Sequence, residues 1–90
     1  MTNLEIVCEA YPDEEFLSAD GFDDAIVGVY YDKTTSVYRL VYSNLKCVEI
    51  LMIRDGMSQD EAIEYFDFNV EGAYVGEKTP IWVEDMFWTV

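Results

Sequence analysis

Residues 25 to 42 read Ala-Ile-Val-Gly-Val-Tyr-Tyr-Asp-Lys-Thr-Thr-Ser-Val-Tyr-Arg-Leu-Val-Tyr, and this stretch decides the fold. Two runs rich in valine, isoleucine and tyrosine, Ala25 to Tyr31 and Val37 to Tyr42, flank the polar segment Asp32 to Ser36. β-Branched and aromatic side chains fit a pleated, half-buried surface, and a short polar segment turns the chain, so the pattern predicts an antiparallel hairpin. Successive strand residues face opposite sides, so some of Tyr30, Tyr31, Tyr38 and Tyr42 must face solvent.

Downstream of the hairpin, Ser43 or Asn44 caps a helix from about Leu45 to Asp55, and Gly56 stands where a helix-ending glycine belongs. Ser58-Gln59-Asp60-Glu61 is a capping box that starts a second helix, running from Gln59 to about Tyr74. Gly72 and Gly76 mark its tight end, and Gly76 is expected to need a positive φ. Ile81-Trp82-Val83 after Pro80 reads as a third strand, near 81 to 84, beside the hairpin. Upstream, Leu4 to Ala10 fits either a short helix or an edge strand, and Tyr11-Pro12 ends it. Asp13 to Asp24, with Gly21, reads as a short helical turn plus loop. The expected architecture is one α+β domain over residues 1–90, a small antiparallel sheet of hairpin plus C-terminal strand packed against two helices. Ile26, Val29, Leu40, Val48, Leu51, Met52, Ile63, Phe66 and Val70 are the expected core.

Nineteen acids against five bases, with no histidine, give a net charge of −14. Residues 1 to 24 hold eight acids and no base, whereas residues 25 to 54 hold Asp32 and Glu49 against Lys33, Arg39, Lys46 and Arg54. Residues 55 to 90 hold nine acids and only Lys78. With 51% hydrophobic residues and 16% aromatics, the chain lacks the signature of a disordered acidic tail. A strong negative field repels nucleic acid and anionic membrane and attracts basic surfaces. No apolar run reaches the length of a membrane span and no secretory leader pattern is visible, so a soluble intracellular protein is expected. Cys8 and Cys47, far apart and without histidine, read as reduced thiols, structural or incidental, and disfavour a zinc site.

Enzyme chemistry finds little support. Without histidine the usual general base is missing, and Ser18, Ser36, Ser43 and Ser58 have no activating neighbour in sequence. Asp13-Glu14-Glu15 or Asp23-Asp24 offer oxygen ligands for a divalent cation, but their spacing does not match an EF-hand and a solvated face is the favoured reading. The glycine-bearing stretch Gly72 to Glu77 ends a helix instead of opening one, and Glu71 and Glu77 would repel a phosphate. No catalytic residue, cofactor or metal ligand is assigned.

The stretch from Cys47-Val48-Glu49-Ile50-Leu51 through Asp55-Gly56-Met57-Ser58, Glu61-Ala62, Glu64-Tyr65-Phe66, Phe68-Asn69-Val70 and Gly72-Ala73-Tyr74-Val75-Gly76-Glu77 to Thr79-Pro80-Ile81 resembles a family of small acidic proteins encoded by tailed bacteriophages. Ala19-Asp20-Gly21-Phe22-Asp23-Asp24-Ala25-Ile26-Val27-Gly28-Val29 resembles the opening of many members, so the likeness spans about residues 19 to 85. It implies a phage gene product acting in the cytoplasm of an infected bacterium, and brings with it no reaction, cofactor or catalytic residue.

On the second helix, Asp60, Glu64, Asp67 and Glu71 follow i, i+4, i+7 and i+11 and fall in a stripe about 60° wide at 100° per residue. Like charges at this spacing repel, so the row is either a solvated face or a surface selected to meet a basic partner. Ile63, Phe66, Val70 and Ala73 form the face expected to meet the core. Tyr65 and Phe68 lie on neither face; packing by the N-terminal segment is the favoured cover for them, with a homodimer or target interface as the alternative. The leading functional expectation is a phage-encoded interaction protein that binds and inhibits or redirects a host protein with a basic nucleic-acid-binding surface, by mimicking the charge of DNA. Direct nucleic-acid binding by the strand tyrosines is disfavoured by the overall field. Rival expectations are a small-ligand-binding or sequestering protein using the aromatic strands, and a virion or assembly component.

Overall fold

The computed structural model describes residues 1 to 71 and 76 to 85. Strands β1 (Ile26–Asp32) and β2 (Val37–Ser43) form the antiparallel hairpin, with Val29 opposite Leu40 and Tyr31 opposite Tyr38. The turn is closed by Asp32, whose carboxylate accepts the Thr34 N–H at 3.0 Å and whose carbonyl accepts the Ser36 N–H at 2.7 Å. The register slips between Ile26 and Gly28, a bulge that leaves Val27 exposed.

Helix α1 (Asn3–Ala10) resolves the choice left open for the N-terminal segment. Its reason is a second capping box: the Thr2 hydroxyl accepts the Glu5 N–H at 3.1 Å while the Glu5 carboxylate accepts the Thr2 N–H at 3.0 Å. Helix α2 (Asn44–Asp55) begins on Ser43, whose hydroxyl accepts the Lys46 N–H at 3.1 Å, and stops at Gly56 in the left-handed conformation, φ 68°. Helix α3 (Gln59–Phe66) carries the expected box, with Ser58 and Glu61 exchanging bonds of 3.2 and 2.9 Å.

The α-helix does not run on as expected. From Asp67 to Glu71 the chain forms a π-helical turn, and residues 72 to 75, including Gly72 and the expected helix end near Tyr74, lie outside the described residues. At this junction the Asp67 N–H is shared between the carbonyls of Ile63 and Glu64, and the Asn69 side-chain amide donates to the Tyr65 carbonyl at 3.2 Å. A side chain that reaches back into the helical ladder is a recognised way of loosening it. Gly76 has the positive φ expected of it, 114°.

Strand β3 (Ile81–Val83) lies beside β2, as expected, but runs parallel to it, with Tyr42 opposite Trp82. The sheet is therefore mixed, in the order β1-β2-β3, and not wholly antiparallel. The cause is the connection: α2 and α3 carry the chain out and back between Ser43 and Ile81, and an excursion of that length allows the parallel return that a short turn forbids.

One face of the sheet, through Leu40, Tyr42 and Trp82, meets the helices. Phe22, Ala25, Ile26, Leu40, Tyr42, Cys47, Leu51, Ala62 and Phe66 are buried. Trp82 packs against the ring of Tyr42, centroids 4.8 Å apart, and edge-on against Phe66 at 5.5 Å. Of the expected core, Val29, Val48 and Val70 are only partly buried, and Met52 and Ile63 are exposed. The inner line of α3 runs through Ala62 and Phe66, so Ile63 sits about 100° round the helix from Ala62, on its flank. The segment between α1 and a 3-10 turn (Asp23–Ala25) is pinned by bonds to its backbone: Ala19 N–H to the Tyr42 hydroxyl, 2.7 Å, and the carbonyls of Gly21 and Glu15 to Arg54 and Lys78, 3.1 and 2.8 Å. No helix among the described residues is long and apolar enough to cross a membrane.

Candidate partner-binding surface

Four of the five bases make contacts within the fold. Arg39 donates to the Thr79 carbonyl at 2.6 Å and lies 3.5 Å from Asp32; Arg54 pairs with Asp55 at 3.1 Å and covers the Phe22 ring; Lys46 reaches Glu49 at 4.0 Å. Among the described residues, none of these ion pairs engages Asp60, Glu64 or Asp67. Those three carboxylates stand on the exposed side of α3 and at the start of the π turn. A rise of 1.5 Å per residue places successive members about 4.5 to 6 Å apart along the axis. Glu61 belongs to the cap: the Ser58 backbone N–H and hydroxyl hold its carboxyl below the usual carboxylate range. Glu71 closes the π turn, across which the 100° period that placed it in the stripe does not carry, and its side chain lies outside the described residues.

Tyr65 and Phe68 separate. Tyr65 is 42% exposed and, with Asn69, borders a cavity of about 330 Å3 whose far wall includes Leu17, Phe22 and Arg54. Phe68 is 79% exposed. The favoured expectation, cover by the N-terminal segment, is overturned for Phe68, because α1 packs instead on β1 and the 3-10 turn, with Asn3 donating to the Ile26 carbonyl at 3.0 Å.

A feature that sequence reasoning missed lies beside the acids. Between α2 and α3 runs an open groove of about 590 Å3, bordered by Leu45, Val48, Ile63 and Phe66 and rimmed by Asp67, Glu84 and Asp85. Leu45 is 53% and Ile63 41% exposed. The signal in the sequence was a pair of short helices with more apolar positions than a three-stranded sheet can cover.

Most of the remaining candidates are engaged within the fold. Burial pushes the Cys47 thiol up to about 12, with Asp85 adding to the shift, so it is neutral and unreactive; Cys8 is exposed. The Ser43 hydroxyl donates to Asp85 at 2.6 Å while capping α2. Tyr38 packs at a tilt against both Tyr31 and Tyr11, centroids 4.9 and 5.0 Å away, while Tyr30 and Tyr31 stay exposed; Tyr42 is fully buried. Among the described residues no group of three or more cysteine, aspartate or glutamate side chains is placed to hold a metal ion. No protein-family model, curated protein or solved structure matches the chain.

Proposed function

We propose that this chain is an acidic interaction protein, encoded by a bacteriophage, that binds a host protein through the outer side of α3 and blocks or redirects its basic nucleic-acid-binding surface. The observation that carries this reading is the row of carboxylates on Asp60, Glu64 and Asp67, outside every described ion pair, beside a phenylalanine that stands almost wholly in solvent. A rigid line of negative charge imitates the phosphates of a nucleic-acid strand, which carry one charge per about 3.4 Å of axis. An exposed aromatic next to it provides the apolar anchor that charge alone lacks. The protein acts in the cytoplasm of the infected bacterium, where a DNA-binding or defence protein is occupied without any chemical step.

The test is affinity capture from host lysate across a salt series, comparing the unmodified chain with the variant Asp60→Asn, Glu64→Gln, Asp67→Asn, Glu71→Gln. Capture of a nucleic-acid-binding protein that falls steeply with salt, and is lost in the variant, supports the reading. Equal capture by the variant at low salt rejects the α3 row as the recognition surface.

A further inference from the structure

We propose that the groove between α2 and α3 seats an apolar side chain carried on a short, basic, amphipathic segment of the partner protein. This rests on the reading of the chain as an acidic interaction protein and names the part of the partner that is gripped. The groove has an apolar floor, where Phe66 is 2% exposed, and two apolar walls, Leu45 and Ile63, which are 53% and 41% exposed and which no other element among the described residues covers. Its rim carries Asp67, Glu84 and Asp85, and no lysine or arginine is among the residues that border it. An apolar slot edged by three carboxylates fits a side chain such as leucine flanked by lysine or arginine, the pattern of an amphipathic helix laid into a groove. Nucleotides, fatty acids and acidic peptides would meet repulsion at the rim. A second copy fits badly too, because a two-fold interface sets the same rim carboxylates of two chains of charge −14 against each other.

The probe is a 14-residue peptide of leucine and lysine with leucines at the a and d positions of two heptads, against a permuted peptide of the same composition whose leucines are spread around the helix. Titrated into the isotopically labelled full chain at low salt, the ordered peptide should shift the amide resonances of residues 44–48, 59–67 and 84–85. It should bind about tenfold more tightly than the permuted one, the scale of loss when a central anchor is removed. Leu45→Ser with Ile63→Ser, both at exposed positions, should remove that tenfold advantage and leave binding of the permuted peptide unchanged. Equal affinity for the two peptides, with shifts spread over the acidic surface, overturns the groove while leaving the charge-based reading standing. No binding of either peptide overturns both. Sedimentation showing a dimer that the double variant dissolves also overturns the proposal, since the groove would then be filled by a second copy. The shift map uses the unmodified chain, so it decides the matter even should the variant lose its fold.

Discussion

The Tyr42 hydroxyl accepts the Ala19 N–H at 2.7 Å, so a fully buried residue of β2 holds the irregular segment ahead of β1 against the core. Tyr42→Phe keeps the ring on Trp82 and removes only the acceptor. Leaving a partly buried amide without its partner should cost about 1–2 kcal/mol, which for a domain of this size is a fall in Tm of roughly 5–15 °C. Thermal unfolding followed by circular dichroism checks this; an unchanged Tm would mean that water replaces the hydroxyl at no cost.

Two buried acids predict weakness toward alkali. Burial pushes Cys47 from its ordinary 9.0, and Tyr42 from 10.0, each up to about 12. In the unfolded chain both release their protons first, so the folded state holds more protons between pH 9 and 12 and loses stability as pH rises through that window. Below pH 9 this contribution is fully present. The urea midpoint should hold level from neutral pH to about 9 and then decline; a flat profile to pH 11 would contradict it. In the same preparation Cys8 should react with a thiol reagent in the native state and Cys47 only on unfolding.

With nineteen acids and five bases, self-repulsion should outweigh the three ion pairs found among the described residues. Salt screens exposed charges over a Debye length of about 10 Å at 0.1 M. Tm should therefore rise as sodium chloride is added from low to moderate concentration. A fall would place net attraction in the native state.

Charge and apolar contact on α3 should separate by salt response. The four-fold neutral variant at positions 60, 64, 67 and 71 should be as stable as the unmodified chain or more so, because the like-charge neighbours Asp60–Glu64 and Glu64–Asp67 cost a few tenths of a kcal/mol per pair. Phe68→Ala should leave stability within about 0.5 kcal/mol, as expected of an exposed side chain. Toward a captured basic partner, the first should flatten the salt dependence of binding and the second should weaken affinity at every salt concentration. Two variants with identical salt slopes would deny the division of labour.

What was legible in the sequence was local chemistry. The hairpin, Ser43, Gly56 and the Ser58–Glu61 box act within a few residues of themselves, so their elements appear where composition places them. The Thr2–Glu5 box was equally available and would have decided for a helix at the N-terminus. The direction of β3 was not legible, because it depends on where the two helices deliver the chain. Nor was the exposure of Met52 and Ile63: helical period identifies an apolar stripe, but which edge of it is covered depends on how much sheet there is to cover it. The π turn removed the fourth acid from a row drawn at 100° per residue, and the groove became visible only when α2, α3 and residues 84–85 were brought together.

The parallel return of β3 sets an order of events during folding. The hairpin closes a loop of a few residues, whereas β3 can join β2 only after the whole excursion through α2 and α3 has been drawn in, and closing longer loops before any contact rewards it is slow. The hairpin and helices should therefore assemble first and the third strand should dock last. Trp82 reports that step, since its indole comes to rest between Tyr42 and Phe66 only when β3 is in place. With Trp88 replaced by phenylalanine, refolding should show hairpin amides protected from exchange before indole emission reaches its native value. Under native conditions the same strand should be the first part of the sheet to detach.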